Sequence, residues 1–263
     1  MRNFLYLMRF FLPLLCCLAL LACATTPYTG RSQFIIMSEG TESLLGLEAS
    51  QEILSSEPVE TGTARAARVK RVGDRIAAVA DRPDFEWAFH TIDKPTLNAF
   101  CLPGGRVFVY TGLLELTGGN DAELAAVMGH EIAHAIARHG AERASQAQAS
   151  SLGGALLGIG VGAATGSSAA GQAAQGGYSA LAKLGILLPY SRRQETEADY
   201  IGIILAAKAG YDPRAAITFW RKMAKAGEGG KEPPALLSTH PLSGTRIADL
   251  ERAMPEALKY YRP

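Results

Sequence analysis

The chain has 263 residues, with 26 basic against 25 acidic side chains, 48% hydrophobic residues and four cysteines. A formal charge of +1 gives no electrostatic footprint for nucleic acid, and a chain this apolar is not disordered, so a globular domain with a sizeable core is the default. Cysteines at positions 16, 17, 23 and 101 fit neither a disulfide scaffold nor a zinc ribbon, so any metal site must draw on other side chains.

Residues 1–22 read as a signal peptide: Arg2 and Arg9 precede or open an uncharged run from Phe10 to Ala22, which is short of the roughly 20 residues a membrane-spanning helix needs. Leu20-Leu21-Ala22-Cys23 resembles the lipobox of bacterial lipoproteins, which implies cleavage before Cys23 and a lipid on its thiol. Ala24, where inner-membrane lipoproteins carry Asp, points to the periplasmic face of the outer membrane. Removing the signal takes Arg2 and Arg9 and no acid, turning the formal charge from +1 to −1 and leaving Cys101 without an intramolecular partner. Residues 23–38 are then a lipidated tether and 39–263 a single catalytic domain.

Apolar residues recur at helical spacing from Glu39 to Ala80, predicting two helices broken around Pro58 to Gly62. Phe85, Trp87 and Phe89 alternate with Glu86, Ala88 and His90, and Val107 and Val109 alternate with Phe108 and Tyr110 after a Pro103-Gly104-Gly105 turn. With an edge strand over Thr96 to Leu102, these make a small antiparallel sheet in an otherwise helical, α+β chain. Asn120 with Glu123 predicts a cap and capping box for a helix running to Arg138, stopped by Gly140. Ser151 to Gly177 is nearly all Gly, Ala, Ser and Leu without a charge, an insert expected either to be mobile or to pack as closely approaching helices. Helices follow at about Arg192–Ala209, Pro213–Ala226 and Gly244–Ala253, with a loop from Gly227 to Pro234.

The chemistry lies in His130-Glu131-Ile132-Ala133-His134. Residues four apart on a helix are about 40° apart round its axis, so both imidazoles leave one face and can grip a single tetrahedral ion. Glu131, offset beside them, is placed to take a proton from the attacking water without being a ligand. The same rotation puts His139 on the far face, as a helix-end residue, and His90 reads as a surface histidine. A third ligand is needed, and Glu195, Glu197 and Asp199 are candidates on one later helix; spacing alone does not choose among them.

Taken together, Thr29-Gly30-Arg31, Asn98-Ala99-Phe100 with Pro103-Gly104-Gly105, the HEIAH segment, Ser191-Arg192 with Glu195 and Asp199, and Ser238-Thr239-His240-Pro241 resemble metallopeptidase family 48 in family order. That family spans CAAX prenyl proteases, heat-shock membrane proteases and the mitochondrial and periplasmic quality-control peptidases. The resemblance implies a gluzincin-type fold and one Zn2+ per chain. It further implies Glu195 as the third ligand, Asp199 behind the ligands, and Asn98, Ala99 and Phe100 as the edge strand that binds peptide. It places His240 and Arg246 near the metal among the catalytic residues, His240 either stabilising the oxyanion or ligating zinc in a closed resting state. The Gly/Ala-rich insert falls where a segment covering the cleft would lie.

The expected function is a zinc endopeptidase of the bacterial envelope that cleaves misfolded or unassembled periplasmic and outer-membrane proteins, with the outer-membrane assembly machinery as a possible partner and no nucleic acid. The rivals are a non-proteolytic lipoprotein assembly factor or chaperone with a structural zinc, and a peptidase of one narrow peptide substrate. Glu131 argues against the first rival, since a structural site has no use for it.

Overall fold

The structure, a computed structural model, describes residues 23–172, 191–228 and 233–262. The signal reading of residues 1–22, the end of the insert at 173–177 and part of the Gly227–Pro234 loop lie outside the described residues. The chain divides into two compact units, one made of residues up to Ser38 with 141–187, the other of 39–140 with 188–263.

In the larger unit, helix α1 (Glu39–Ser56) leads through strand β3 (Val59–Glu60) into α2 (Ala64–Ala77), so the predicted break between two helices contains a short strand. Strands β4 (Ala88–Ile92), β5 (Ala99–Leu102) and β6 (Arg106–Tyr110) complete a sheet of order β3-β4-β6-β5. The sheet is mixed and not wholly antiparallel, because β4 and β6 pair in parallel while β3–β4 and β5–β6 are antiparallel. After β4 the chain passes over to the far edge, forms β5, and turns back through Gly104 and Gly105 (φ +82° and +92°) to bring β6 between them. Residues 85–87 precede β4 instead of extending it.

Helix α3 (Thr111–Leu116) follows, then α4 (Asp121–Ile136), around which the core is built. Leu124, Val127, Met128 and Ile132 of α4 are buried in one cluster with residues of α2, of α6 (Arg192–Lys208), of α7 (Ala215–Glu228) and of α9 (Arg246–Leu258). A five-residue helix, α8 (Ala235–Thr239), absent from the sequence reading, ends next to His240. Asn120 caps α4 as expected, its Oδ1 accepting from the N–H of Ala122 (2.9 Å) and of Glu123 (3.3 Å). The carboxylate of Glu123 turns to Lys222 Nζ (2.7 and 2.8 Å).

Gly140 is not the stop. Helix α4 ends at Ile136, and Arg138 takes the left-handed conformation (φ +54°) while its Nε donates to Glu42 Oε2 (2.8 Å). The next helix, α5 (His139–Thr165), begins at once and has Gly140 inside it.

In the smaller unit, residues 23–34 of the expected tether carry a hairpin of β1 (Cys23–Thr25) and β2 (Ser32–Phe34). Arg31 clamps Glu142 of α5 through two hydrogen bonds (2.7 and 2.8 Å), and Gln33 adds a third (3.2 Å). The insert through Thr165 is therefore the continuation of α5, of which Leu152, Leu156, Leu157 and Ile159 stand exposed. Gly166 (φ +67°) reverses the chain, and Gly171 lies so close to Gly158 and Gly162 that a Cβ on it would sit 2.4 Å from the Gly158 carbonyl oxygen. This is the close approach of small residues that the composition of the insert allowed.

Candidate metal centre

Helices α4 and α6 cross at Gly129 and Gly202. A Cβ on either would lie 2.8 Å from backbone of the other helix, which is why neither position tolerates a side chain. Gly129 directly precedes His130, and Gly202 is seven residues, two helical turns, beyond Glu195. The glycine crossing thus lets α6 come near enough for its first turns to reach the histidines of α4. Ser191 starts α6 with a reciprocal capping box to Gln194, which fixes where Glu195 falls on the first turn.

Four donor atoms converge, one each from His130, His134, Glu195 and His240, all within 4.8 Å of one another and all on buried residues. His130 Nε2 is 3.1 Å from His134 Nε2 and 3.2 Å from His240 Nδ1. Glu195 Oε1 is 2.9 Å from His240 Nδ1 and 3.4 Å from His134 Nε2, and Glu195 Oε2 is 3.4 Å from His130 Nε2. A tetrahedral zinc with bonds of about 2.0–2.1 Å needs donors about 3.3 Å apart. The donor set, three imidazoles and a carboxylate, suits that ion in both chemistry and spacing. Glu195 Oε2, fully buried, makes no hydrogen bond, which fits an atom that serves as a ligand.

The side chains behind the donors fix their orientation. His130 Nδ1 is 2.9 Å from Asp199 Oδ1, which also takes a hydrogen bond from Arg246 Nη2 (2.7 Å). Arg246 Nη1 is 3.1 Å from Glu195 Oε2, and its guanidinium lies 3.3 Å above the ring of Trp220. Arg246 is therefore a buried cation behind Glu195 and Asp199. Trp220, whose ring also meets His130 edge-on at 5.3 Å, is a wall of the site that the sequence reading missed.

His139 overturns its far-face assignment. It is fully buried, its Nδ1 is 2.9 Å from His134 Nδ1, and its Nε2 is 3.0 Å from Glu197 Oε2. Counting 100° per residue failed because the helix does not run through it: the left-handed Arg138 intervenes, and His139 starts a new helix. Glu197, one of three acids that spacing left unresolved, belongs to His139, while Glu195 joins the donors and Asp199 supports His130. His90 is half-buried and stacked on Phe108 (4.9 Å), apart from the cluster.

Burial also sets the charges. Burial alone raises the pKa of Glu195, but the close approach of His130, His134 and His240 outweighs this and holds it ionised, well below the usual carboxylate range. Burial keeps His134 neutral, its pKa well below that of a free imidazole. Burial pushes Glu131 the other way, up to about 7, with the nearby carboxylates of Glu195 and Asp199 adding to the rise and His240 and Arg246 opposing it. Its Oε1 is buried without a hydrogen bond and its Oε2 lies 3.5 Å from His240 Nε2, so a base of near-neutral pKa stands beside the donor cluster.

Strand β5 lies against α4 and forms the edge of its sheet, with no second strand paired to it among the described residues. Ala99 and Phe100 open this strand, and Asn98 just before it accepts a hydrogen bond at its carbonyl from the N–H of Tyr110 (3.1 Å). Cys101 of the same strand lies near enough to Glu131 for that carboxylate to raise its thiol pKa, burial being the larger cause.

Residues 63–254 match the sequence profile of Peptidase family M48. The mitochondrial metalloendopeptidase OMA1 of Schizosaccharomyces pombe is 40% identical over 235 residues, which is 88% of this chain and 66% of that protein. The human mitochondrial metalloendopeptidase OMA1 is 35% identical over 243 residues, 89% of this chain and 46% of the relative. The beta-barrel assembly-enhancing protease of Escherichia coli is 32% identical over 232 residues, 86% of this chain and 46% of that protein. The chain thus spans about half to two thirds of the length of these relatives.

Proposed function

The chain belongs to Peptidase family M48, and on that premise we propose that it is a zinc-dependent endopeptidase of the bacterial envelope that cleaves unfolded or unassembled proteins there. The observation that carries this reading is the buried donor set of His130, His134, Glu195 and His240 with the Glu131 carboxyl beside it, one oxygen of which makes no hydrogen bond. His130, His134, Glu195 and His240 would hold the zinc, which when bound would supply Lewis acidity to a carbonyl and to a water molecule. Glu131 takes a proton from the attacking water and hands it to the leaving amine, a shuttle suited to a carboxyl whose pKa is about 7.

His240 would be the fourth donor to the ion in the resting chain. Its Nδ1 lies among the other ligand atoms, so the ring must withdraw before substrate and water share the site. Arg246 and Asp199 hold the ligands in place. The free edge of β5, at Asn98, Ala99 and Phe100, takes the substrate as an added strand, with main-chain hydrogen bonds that select extended, unfolded segments over any one side chain.

The Leu20-Leu21-Ala22-Cys23 sequence and the relative named as a beta-barrel assembly-enhancing protease support a lipid on Cys23, a place at the periplasmic face of the outer membrane, and substrates met near its assembly machinery. The insert, expected from the sequence to cover the cleft, exposes Leu152, Leu156 and Ile159 of α5, apolar side chains that suit lipid contact instead.

Zinc content and casein cleavage measured together for wild type and Glu131→Gln test the proposal. The variant should keep one zinc per chain and lose cleavage by about 10²-fold or more; a variant that cleaves as fast as wild type overturns it.

A further inference from the structure

We propose that His139 is a positioning residue, which with Glu197 behind it locks His134 into the one tautomer that can bind metal. This rests on the reading that the donor cluster holds zinc. The two metal-facing histidines of α4 are supported differently: His130 Nδ1 meets a carboxylate directly, Asp199 Oδ1 at 2.9 Å, whereas His134 Nδ1 meets another imidazole, His139 Nδ1, at the same distance. A contact between two imidazole nitrogens requires one N–H and one lone pair.

Glu197 decides which is which. Its buried carboxylate, 3.0 Å from His139 Nε2, is an acceptor, so an imidazole with one ring proton at position 139 carries it on Nε2. His139 Nδ1 is then the lone pair, and His134 Nδ1 carries the hydrogen. With its one ring proton on Nδ1, His134 leaves Nε2 bare, pointing at His130 Nε2 (3.1 Å) and Glu195 Oε1 (3.4 Å) as a ligand must. The opposite arrangement, with the proton on His139 Nδ1, would place a hydrogen on His134 Nε2 and direct it at those same atoms, closing the position to a cation. The order Glu197, His139, His134 therefore works as a relay of tautomers three side chains long. It draws on three elements: α6 supplies Glu197, α5 His139 and α4 His134.

The test compares His139→Phe, which fills the ring's space and accepts nothing, with His139→Asn, whose Oδ1 falls near the place of Nδ1 and accepts. Zinc affinity of the full chain, from chelator competition, should fall about 10–100-fold in His139→Phe and recover most of that loss in His139→Asn. A purely structural role would lower the melting temperature of both variants and leave zinc affinity within about threefold of wild type, which overturns the proposal. Ring ¹⁵N spectra of the metal-free chain give a second reading: His134 protonated at Nδ1 is expected, and protonation at Nε2 overturns the relay. If His139→Phe does not fold, Glu197→Gln serves, since its amide donates as well as accepts and should let His134 populate both tautomers; a single unchanged tautomer then counts against the relay. A wild-type chain that retains no zinc would remove the metal reading, while the ring spectra still decide the relay.

Discussion

In α4 a glycine stands at position 129 because the backbone of α6 crosses it, and from Glu123 to Ile136 every side chain of that helix is buried. In α5 glycines recur more densely, yet Gly160 has nothing within 4 Å of where its Cβ would be, and Ile159 beside it is 70% exposed. Both helices draw on small residues, and composition does not separate them. What separates them is the polar content: α4 and α6 present His130, Glu131, His134, Glu195 and Asp199 to one another, and a core is built over these groups to exclude water. From Ala144 to Ala182 the chain has no charge to present and, within α5, little core to enter. Small residues allow close approach, and whether it becomes a site depends on what the flanking positions bring to it.

If the buried polar groups of the α4–α6 region are held by mutual pairing, then removing one cation should have the largest effect. Arg246→Met keeps the length of the side chain over Trp220 but leaves Glu195 and Asp199 buried without their shared guanidinium. We expect a loss of about 3–5 kcal/mol in urea unfolding of the metal-free chain. A loss below about 1 kcal/mol would mean that the pair is hydrated in solution and that the comparison with α5 is overdrawn.

Glu131 sharpens the same contrast from the other side. Its folded pKa of about 7 lies above the ordinary value of 4.5, so the folded chain keeps a proton that the unfolded chain gives up, and stability falls as pH rises between these values. Glu131→Gln cannot ionise. The metal-free variant should therefore exceed wild type in stability at pH 8, by at most about 3 kcal/mol, and the gap should close below about pH 4.5. An equal gap at pH 8 and pH 4 would show that burial of charge is not its cause.

Much of this region was legible in the sequence, for reasons that also explain what was not. His130 and His134 fall on one helix, where rotation per residue is fixed, and Asn120 announces that helix by a local hydrogen bond. Glu195 was separated from Glu197 and Asp199 only by family resemblance, because all three sit within two turns of one helix and differ in which partner each meets across the core. His139 was misplaced by a single left-handed residue, Arg138, whose conformation is tied to Glu42, 96 positions away. The parallel pairing of β4 with β6 and the stacking of Trp220 on Arg246 are likewise long-range facts without local periodicity. In each case the missing information was a tertiary contact.

The glycines allow one substitution to be tried on both sides of the comparison. Gly202→Ala would put a Cβ 2.8 Å from the backbone nitrogen of His130, with no flexible side chain there to give way, and should cost about 1–3 kcal/mol while prising Glu195 away from His130 and lowering zinc affinity. Gly160→Ala in α5 meets open space and removes backbone freedom that the unfolded chain enjoys, so it should stabilise its helix by about 0.5–1 kcal/mol, read as slower amide exchange across 155–163. Faster exchange there would mean that Gly160 has a close neighbour in solution, as Gly202 has, and that the close packing at Gly158 and Gly162 extends to this face of α5.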